Sequence, residues 1–277
     1  MNESAGASPA DGALGAGTGP RPVLAVAAGA GIGLLGGMIG LGGAEFRLPL
    51  LIGVFGFAAL QAVILNKAMS LIVVLAALPA RLGSVPLHAV AGHWSIVVNL
   101  LVGSMVGAWA GASLATRLRS TTLYRVLAGL LVLIAIALAA NHLDLLRPLA
   151  VTGVPRAVVA VVAGLAIGVV AALMGVAGGE LLIPTIVLLY GVDIKLAGSL
   201  SLAVSLPTML VAFARYSRDR SFVVLRANVR FVAWMASGSV AGTVAGGLLL
   251  GVVPVAVLVP ALVGLLLLSA VKVGRHG

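Results

Sequence analysis

The sequence predicts an all-α, polytopic membrane protein: two homologous repeats of four to five hydrophobic segments, inverted relative to one another, with glycine-broken or re-entrant helices. Three observations predict it. Of 277 residues, 61% are hydrophobic and 9% charged, far too little charge to cover the surface of a soluble domain. Apolar runs of about 20 residues recur along the whole length, as membrane-spanning helices require, without the short alternating segments of a transmembrane barrel. Finally, one glycine-rich stretch is written twice, and its second copy comes with the same spacing to many later residues.

The first copy is Gly40-Leu41-Gly42-Gly43-Ala44-Glu45-Phe46-Arg47-Leu48-Pro49, and the second is Gly175-Val176-Ala177-Gly178-Gly179-Glu180-Leu181-Leu182-Ile183-Pro184. One offset (180 − 45 = 135) carries Gly40 onto Gly175, Gly43 onto Gly178, Glu45 onto Glu180 and Pro49 onto Pro184. It also carries Gly56 onto Gly191, Ser70 onto Ser205, Gly103-Ser104 onto Gly238-Ser239, Gly107 onto Gly242 and Gly111 onto Gly246. An ungapped spacing of this length reads as a duplication. Residues 1–21, rich in Gly, Ala, Ser and Pro, are expected to be a disordered tail. A secretory signal would need a positive region ahead of a short apolar one. Residues 22–150 then form the first transmembrane repeat and 151–277 the second.

Taken in order, the apolar segments of the first repeat cover residues 22–44, 46–60, 63–80, 94–116 and 122–141. Those of the second cover 156–179, 181–192, 196–214, 229–250 and 252–272. The second segment of each repeat is too short to cross about 30 Å of hydrocarbon comfortably, so it is either a re-entrant half-helix or half of a broken span. That leaves eight or ten true spans. The loops carry opposite charge bias in the two repeats. After the third segment only Arg81, with His88 and His93, precedes the next span. The second repeat there has Arg215, Arg218, Arg220, Arg226 and Arg230. After the fourth segment the bias reverses, with Arg117, Arg119 and Arg125 against no charge from Leu249 to Val255. Under the positive-inside rule the repeats are inserted in opposite directions, with the arginine-rich loops and Lys272/Arg275 in the cytoplasm. Four spans per half would instead make the repeats parallel.

The net charge of +10 is explained by these loops better than by nucleic acid, for which no basic, aromatic-bearing soluble domain exists. With no cysteine there is no disulfide framework, thiolate metal site or thiol nucleophile. The four histidines lack metal-ligand spacing, no G-x-S-x-G motif occurs, and no Gly-Lys-Ser/Thr follows the doubled glycines. An enzyme, a metal and a cofactor are therefore not expected. The four-residue glycine stripes allow close helix approach, within the chain or across a possible homodimer. Trp94, Tyr124 and Tyr216 fall near span ends and suit interfacial anchors.

Glu45 and Glu180 are the most informative residues, because an ionised side chain at membrane depth normally faces a pathway or a partner. The preceding Gly40, Gly42, Gly43, Gly175, Gly178 and Gly179 let the helix break and the backbone approach a ligand. Pro49 and Pro184 suit the first turn of a new half-helix, whose N-terminal amides attract an anion. A carboxyl in a low-dielectric pocket can also carry a proton in exchange for that anion. Alternatively each glutamate pairs with a cation or caps an amide; Arg47 is a candidate partner for Glu45, but position 182 is leucine. Asn66, Lys67 and Ser70, with Ser199, Ser201 and Ser205, offer polar groups on helix faces that could line a route. The hydroxyls could equally bond their own backbones, and Lys67 could snorkel to the interface. Asp193 and Lys195 read as a solvated turn pair.

GLGGAEFRLP and GVAGGELLIP, each followed by a small-residue, serine-containing span, resemble the doubled motif of the TauE/SafE family of sulfite and sulfonate exporters, over residues 23–273. The resemblance implies a bacterial inner-membrane permease of about eight spans that moves sulfite or organosulfur anions by secondary transport. That family often has an aliphatic or aromatic residue where Glu45 and Glu180 stand. Expected partners are a small anionic substrate and the lipid bilayer. A passive anion channel or a non-transporting membrane scaffold are the alternatives.

Overall fold

A computed structural model describes residues 22–39, 43–84, 91–143, 151–249 and 255–276. The described residues form helices joined by short turns. These are α1 (Pro22–Ile39), α2 (Ala44–Gly53), α3 (Ala59–Ser84), α4 (Trp94–Ala115) and α5 (Ser120–His142), then α6 (Gly153–Met174), α7 (Gly179–Tyr190) and α8 (Ile194–Tyr216). After a short 3₁₀ turn come α9 (Val223–Ala227), α10 (Val229–Leu248) and α11 (Val255–Gly274). Seven of them, α3 to α6, α8, α10 and α11, are long and apolar enough to cross a membrane. The protein is thus a multi-pass helical membrane protein. The apolar part of α1, Pro22–Met38, falls just short of that length, while α2 with 10 residues and α7 with 12 are half-length elements. At 1.5 Å per residue each reaches only about 15–18 Å.

Glycines break the helices where the sequence doubles them. Gly43, Gly175 and Gly178 have φ of 70°, 70° and 86°, the left-handed region that only glycine enters without steric cost. After α1 the chain turns back: Gly43 packs against Ile32, seven residues before the end of α1. Gly178 likewise packs against Ile167 and Ala171 of α6. Both half-helices therefore begin beside the preceding helix, about one to two turns before its end. Pro49 and Pro184 do not sit in the first turn, as expected; each is inside its helix. There each removes the N–H that would bond the carbonyl four residues earlier, that of Glu45 or Glu180.

Glycine stripes also set the helix pairing. A methyl group on Gly29, Gly33 or Gly37 of α1 would collide with the backbone of Met235, Ser239 or Thr243 of α10. Reciprocally, Gly238, Gly242 and Gly246 face Val26, Ala30 and Leu34. Numbers rise together, so α1 and α10 run parallel in backbone contact. Gly103, Gly107 and Gly111 of α4 meet Val161, Leu165 and Val169 of α6 in the same way. Both stripes are used within the chain.

Other contacts fix the remaining directions. Phe55 and Phe57, just before α3, pack on Phe231 near the start of α10, while Ser70 and Ser239 share Arg47 farther along; α3 is parallel to α10. Ser104 bonds Thr208 at 2.7 Å and Ser113 accepts from Arg215 at 2.8 Å, so α4 is parallel to α8. Tyr124, early in α5, lies beside His276 just past α11, and these two helices are antiparallel. One face of the bundle consequently gathers the α4–α5 turn, the α8–α10 connection and the end of α11. Between α1 and α3, which point the same way, α2 runs back towards that face.

The structure corrects two expectations near span ends. Tyr216 is not an interfacial anchor: it is fully buried, and its hydroxyl donates to the Ala172 carbonyl at 2.9 Å. Asp193 and Lys195 are not a side-chain pair either; the Asp193 carboxylate caps α8, accepting from the amides of Lys195 and Leu196 at 2.8 and 3.3 Å.

Candidate functional site

The two interruptions meet at the middle of α3. Asn66 donates through Nδ2 to the Ala44 carbonyl, at the start of α2, and to the Met174 carbonyl, at the end of α6, both at 3.0 Å. Lys67 donates through Nζ to the carbonyls of Ala171 (2.9 Å) and Val176. Ser70 donates to the Gly175 carbonyl at 3.2 Å. One turn of α3 therefore holds both breaks, and the Lys67 ammonium faces the carbonyl-rich C-terminal end of α6, where positive charge is favoured.

Arg47 projects from α2 into the same place. Its guanidinium is entirely shut off from solvent and is held only by neutral oxygens. Nη1 reaches Asn66 Oδ1 and Ser70 Oγ at 3.4 Å, and Nη2 reaches Ser239 Oγ at 3.3 Å. Its Nε has no partner. Arg47 thus does not form the expected hydrogen-bonded pair with Glu45. Long bonds to neutral groups leave most of its charge unneutralised at contact range, and charge-assisted bonds to an anion would be shorter and stronger.

Glu45 and Glu180, at the first turns of α2 and α7, lie within electrostatic reach of one another. Glu45 is 1% exposed. Glu180 is half-buried as a residue, yet both its carboxyl oxygens are enclosed; these two and Glu45 Oε2 accept no hydrogen bond of ordinary length, with the Gly178 amide the backbone donor that reaches Glu180 from outside residue 180. Unpaired buried polar atoms are costly, and four such atoms, counting Arg47 Nε, cluster at one helix junction. Neither half-helix has a side-chain cap, so no hydroxyl or amide competes for its N-terminus.

Of the residues singled out from sequence, the structure brings together Gly43, Glu45, Asn66, Lys67, Ser70, Gly175, Gly178 and Glu180. Gly179 opens α7 with free space beside its Cα. Gly40 and Gly42 lie outside the described residues. Ser199 and Ser201 bond back to their own helix, at Lys195 and Gly198, and Ser205 is buried on the same helix. The six polar candidates are therefore not equivalent: those of α3 tie the junction together, while two of the three on α8 satisfy their own backbone. Sequence reasoning missed Ser239 as a ligand of Arg47, and discounted Arg47 itself because Leu182 stands at the matching position. An apolar cavity of about 450 Å³ on the outer side of α2, lined by Ile32, Phe46, Pro49, Leu265 and Lys272 among others, includes none of the carboxylates.

The model of the sulfite exporter TauE/SafE family matches residues 24–273, nearly the whole described bundle. The chain belongs to the TauE/SafE sulfite exporter family. No curated protein and no solved structure matches it. Membership fits a transport protein better than an enzyme and agrees with the seven apolar spans. Within this TauE/SafE member, the junction of α2, α3, α6 and α7 is where charge is concentrated at membrane depth.

Proposed function

We propose that this protein is a secondary transporter that moves a small anion, such as sulfite or an organosulfonate, across the cytoplasmic membrane of a bacterium, coupled to protons. The observation that carries the reading is the fully buried Arg47, which has an unpartnered Nε and is held by hydroxyl and amide groups at the meeting point of two broken helices. A desolvated guanidinium with spare donor capacity is a natural ligand for a planar or tetrahedral oxyanion. Lys67 adds positive potential, and the glycines let backbone approach the solute.

Two inverted repeats of five crossings each are part of the proposal, as alternating access needs. α1 and α3 point the same way, which supports a return crossing between them by way of α2. The 175–178 break and α7 are the matching return in the second half. Odd crossing numbers invert the second repeat, and all of the arginine-rich ends (Arg117 and Arg119, Arg215 to Arg230, Lys272 and Arg275) fall on one face, read as cytoplasmic. Rocking one bundle against the other about the central junction would expose it to either side in turn. The test is counterflow in proteoliposomes with a panel of labelled oxyanions. Saturable exchange of sulfite or a sulfonate is expected, and exchange of none of them would reject the reading.

A further inference from the structure

We propose that the Glu45–Glu180 pair takes up one proton whenever the site takes up one monovalent anion, so that the protein is an electroneutral proton–anion symporter and not an exchanger of the two. This rests on the transport reading above and adds the sign and stoichiometry of coupling.

The junction holds two buried cations, Arg47 and Lys67, and two buried carboxyls. The charged groups that reach the carboxyls are Arg47 for Glu45, Lys67 for Glu180, and the carboxyls themselves. Other elements keep their basic groups elsewhere. Lys272 of α11 lies against Gly53 at the far end of α2. Arg215 of α8 bonds Ser113 and stacks near Trp109. Arg156 of α6 covers Tyr190. α10 offers the cluster a hydroxyl, Ser239. Counted as ionised, the four groups sum to zero, and a monovalent anion added to them leaves one uncompensated negative charge in a water-poor interior, which is expensive.

The proton that removes this charge has one chemically suitable place. The Lys67 ammonium is already donating to two carbonyls, and Arg47 keeps its proton under all physiological conditions. The two carboxyls lie beside each other, and once an anion occupies Arg47 they lose one of the cations that compensate them, so that like charges at short range then resist double ionisation. Three of their four oxygens accept no hydrogen bond of ordinary length, so an O–H bond can form on either residue and be shared with the other. On the loading side the proton leaves water and bonds to a carboxylate oxygen as the anion meets Arg47; on the opposite side both bonds break and both ions return to water. An exchanger would instead need proton uptake to expel the anion, whereas neutralising a carboxyl beside Arg47 strengthens the attraction of the site for it.

The experiment uses the full chain in sealed liposomes with radiolabelled methanesulfonate, and sulfite as second probe. Methanesulfonate stays a monoanion across the working pH range, so any accompanying proton must ride on the protein. An acid exterior is expected to drive uphill accumulation inside, with one proton entering per anion by an internal pH dye and no response to an imposed membrane potential. The E45Q/E180Q double variant should lose at least tenfold of the pH-driven accumulation, and its remaining flux should become potential-driven. If that variant does not fold, the wild-type stoichiometry and the E180Q single variant decide. Anion flux with proton movement in the opposite direction, with no proton movement, or with sodium dependence overturns the inference and leaves the transport reading standing. Failure of both probes to cross overturns both.

Discussion

Arg47 and Leu182 stand at equivalent places in the two copies of the motif, so the guanidinium comes from one half only. Arg47 is bound through contacts of 3.3–3.4 Å to neutral groups; a lysine in its place keeps the charge that balances the buried carboxyls but loses the planar fork of donors. R47K should therefore keep its melting temperature within a few degrees in detergent while anion counterflow falls about tenfold or more, roughly 1.4 kcal/mol per decade of binding. A matching loss of melting and transport would mark Arg47 as structural. Asn66 is the opposite case. N66A strands the carbonyls of Ala44 and Met174, and destabilisation by roughly 1–3 kcal/mol is expected by thermal unfolding; an unchanged midpoint would contradict its bridging role. The glutamates were legible because charge inside an apolar segment is rare. The same rule flags Arg47, and only the demand that a site be repeated hides it. The bonds of Lys67 to Ala171 and Val176 were not legible, since they join residues more than 100 positions apart.

At the scale of elements, hydropathy and glycine placed the helices well. Nine of the ten apolar segments match α1, α3 to α8, α10 and α11 within five residues, because each is bounded by glycine, proline or charge; the second, 46–60, overruns the end of α2 at Gly53 by seven residues and enters α3. The position of the prolines was misjudged because the half-helices start at once after Gly43 and Gly178, putting Pro49 and Pro184 one turn deeper. Tyr216 was misjudged because nearness to a span end says nothing about which face of the helix carries the ring. Glycines along a helix split into two kinds by what surrounds them. Gly107 abuts the Leu165 backbone, whereas Gly129 of α5 has open space around it. G107A should force α4 and α6 apart, costing roughly 1–3 kcal/mol as other overpacked sites do. G129A should be neutral or gain up to about 1 kcal/mol from helix propensity. Thermal melts of the two variants in parallel check this, and equal shifts would refute the parallel glycine-mediated contact.

For the whole molecule, the proposed inversion makes a prediction that the native sequence is well suited to test, because it contains no cysteine. The crossing count depends on α2 and α7: if each returns the chain across the bilayer, the number per repeat is odd and equivalent loops face opposite sides. If each merely dips in and out, the number is even and equivalent loops face the same side. Arg119 and Lys195 are exposed and lie in turns that the two schemes place differently. Single cysteines at Arg119, Arg218 and Arg275 should react with a membrane-impermeant maleimide only from the cytoplasmic face, because contacts near α4, α8 and α11 bring those ends together. Cysteines at Thr152 and Lys195, at the starts of α6 and α8, should react only from the opposite face. Labelling of Lys195 and Arg218 from one side would mean that α8 does not cross. Labelling of Arg119 and Arg218 from opposite sides would break the parallel pairing of α4 with α8. Either result would remove the geometry that lets two broken helices present one junction alternately to the two compartments.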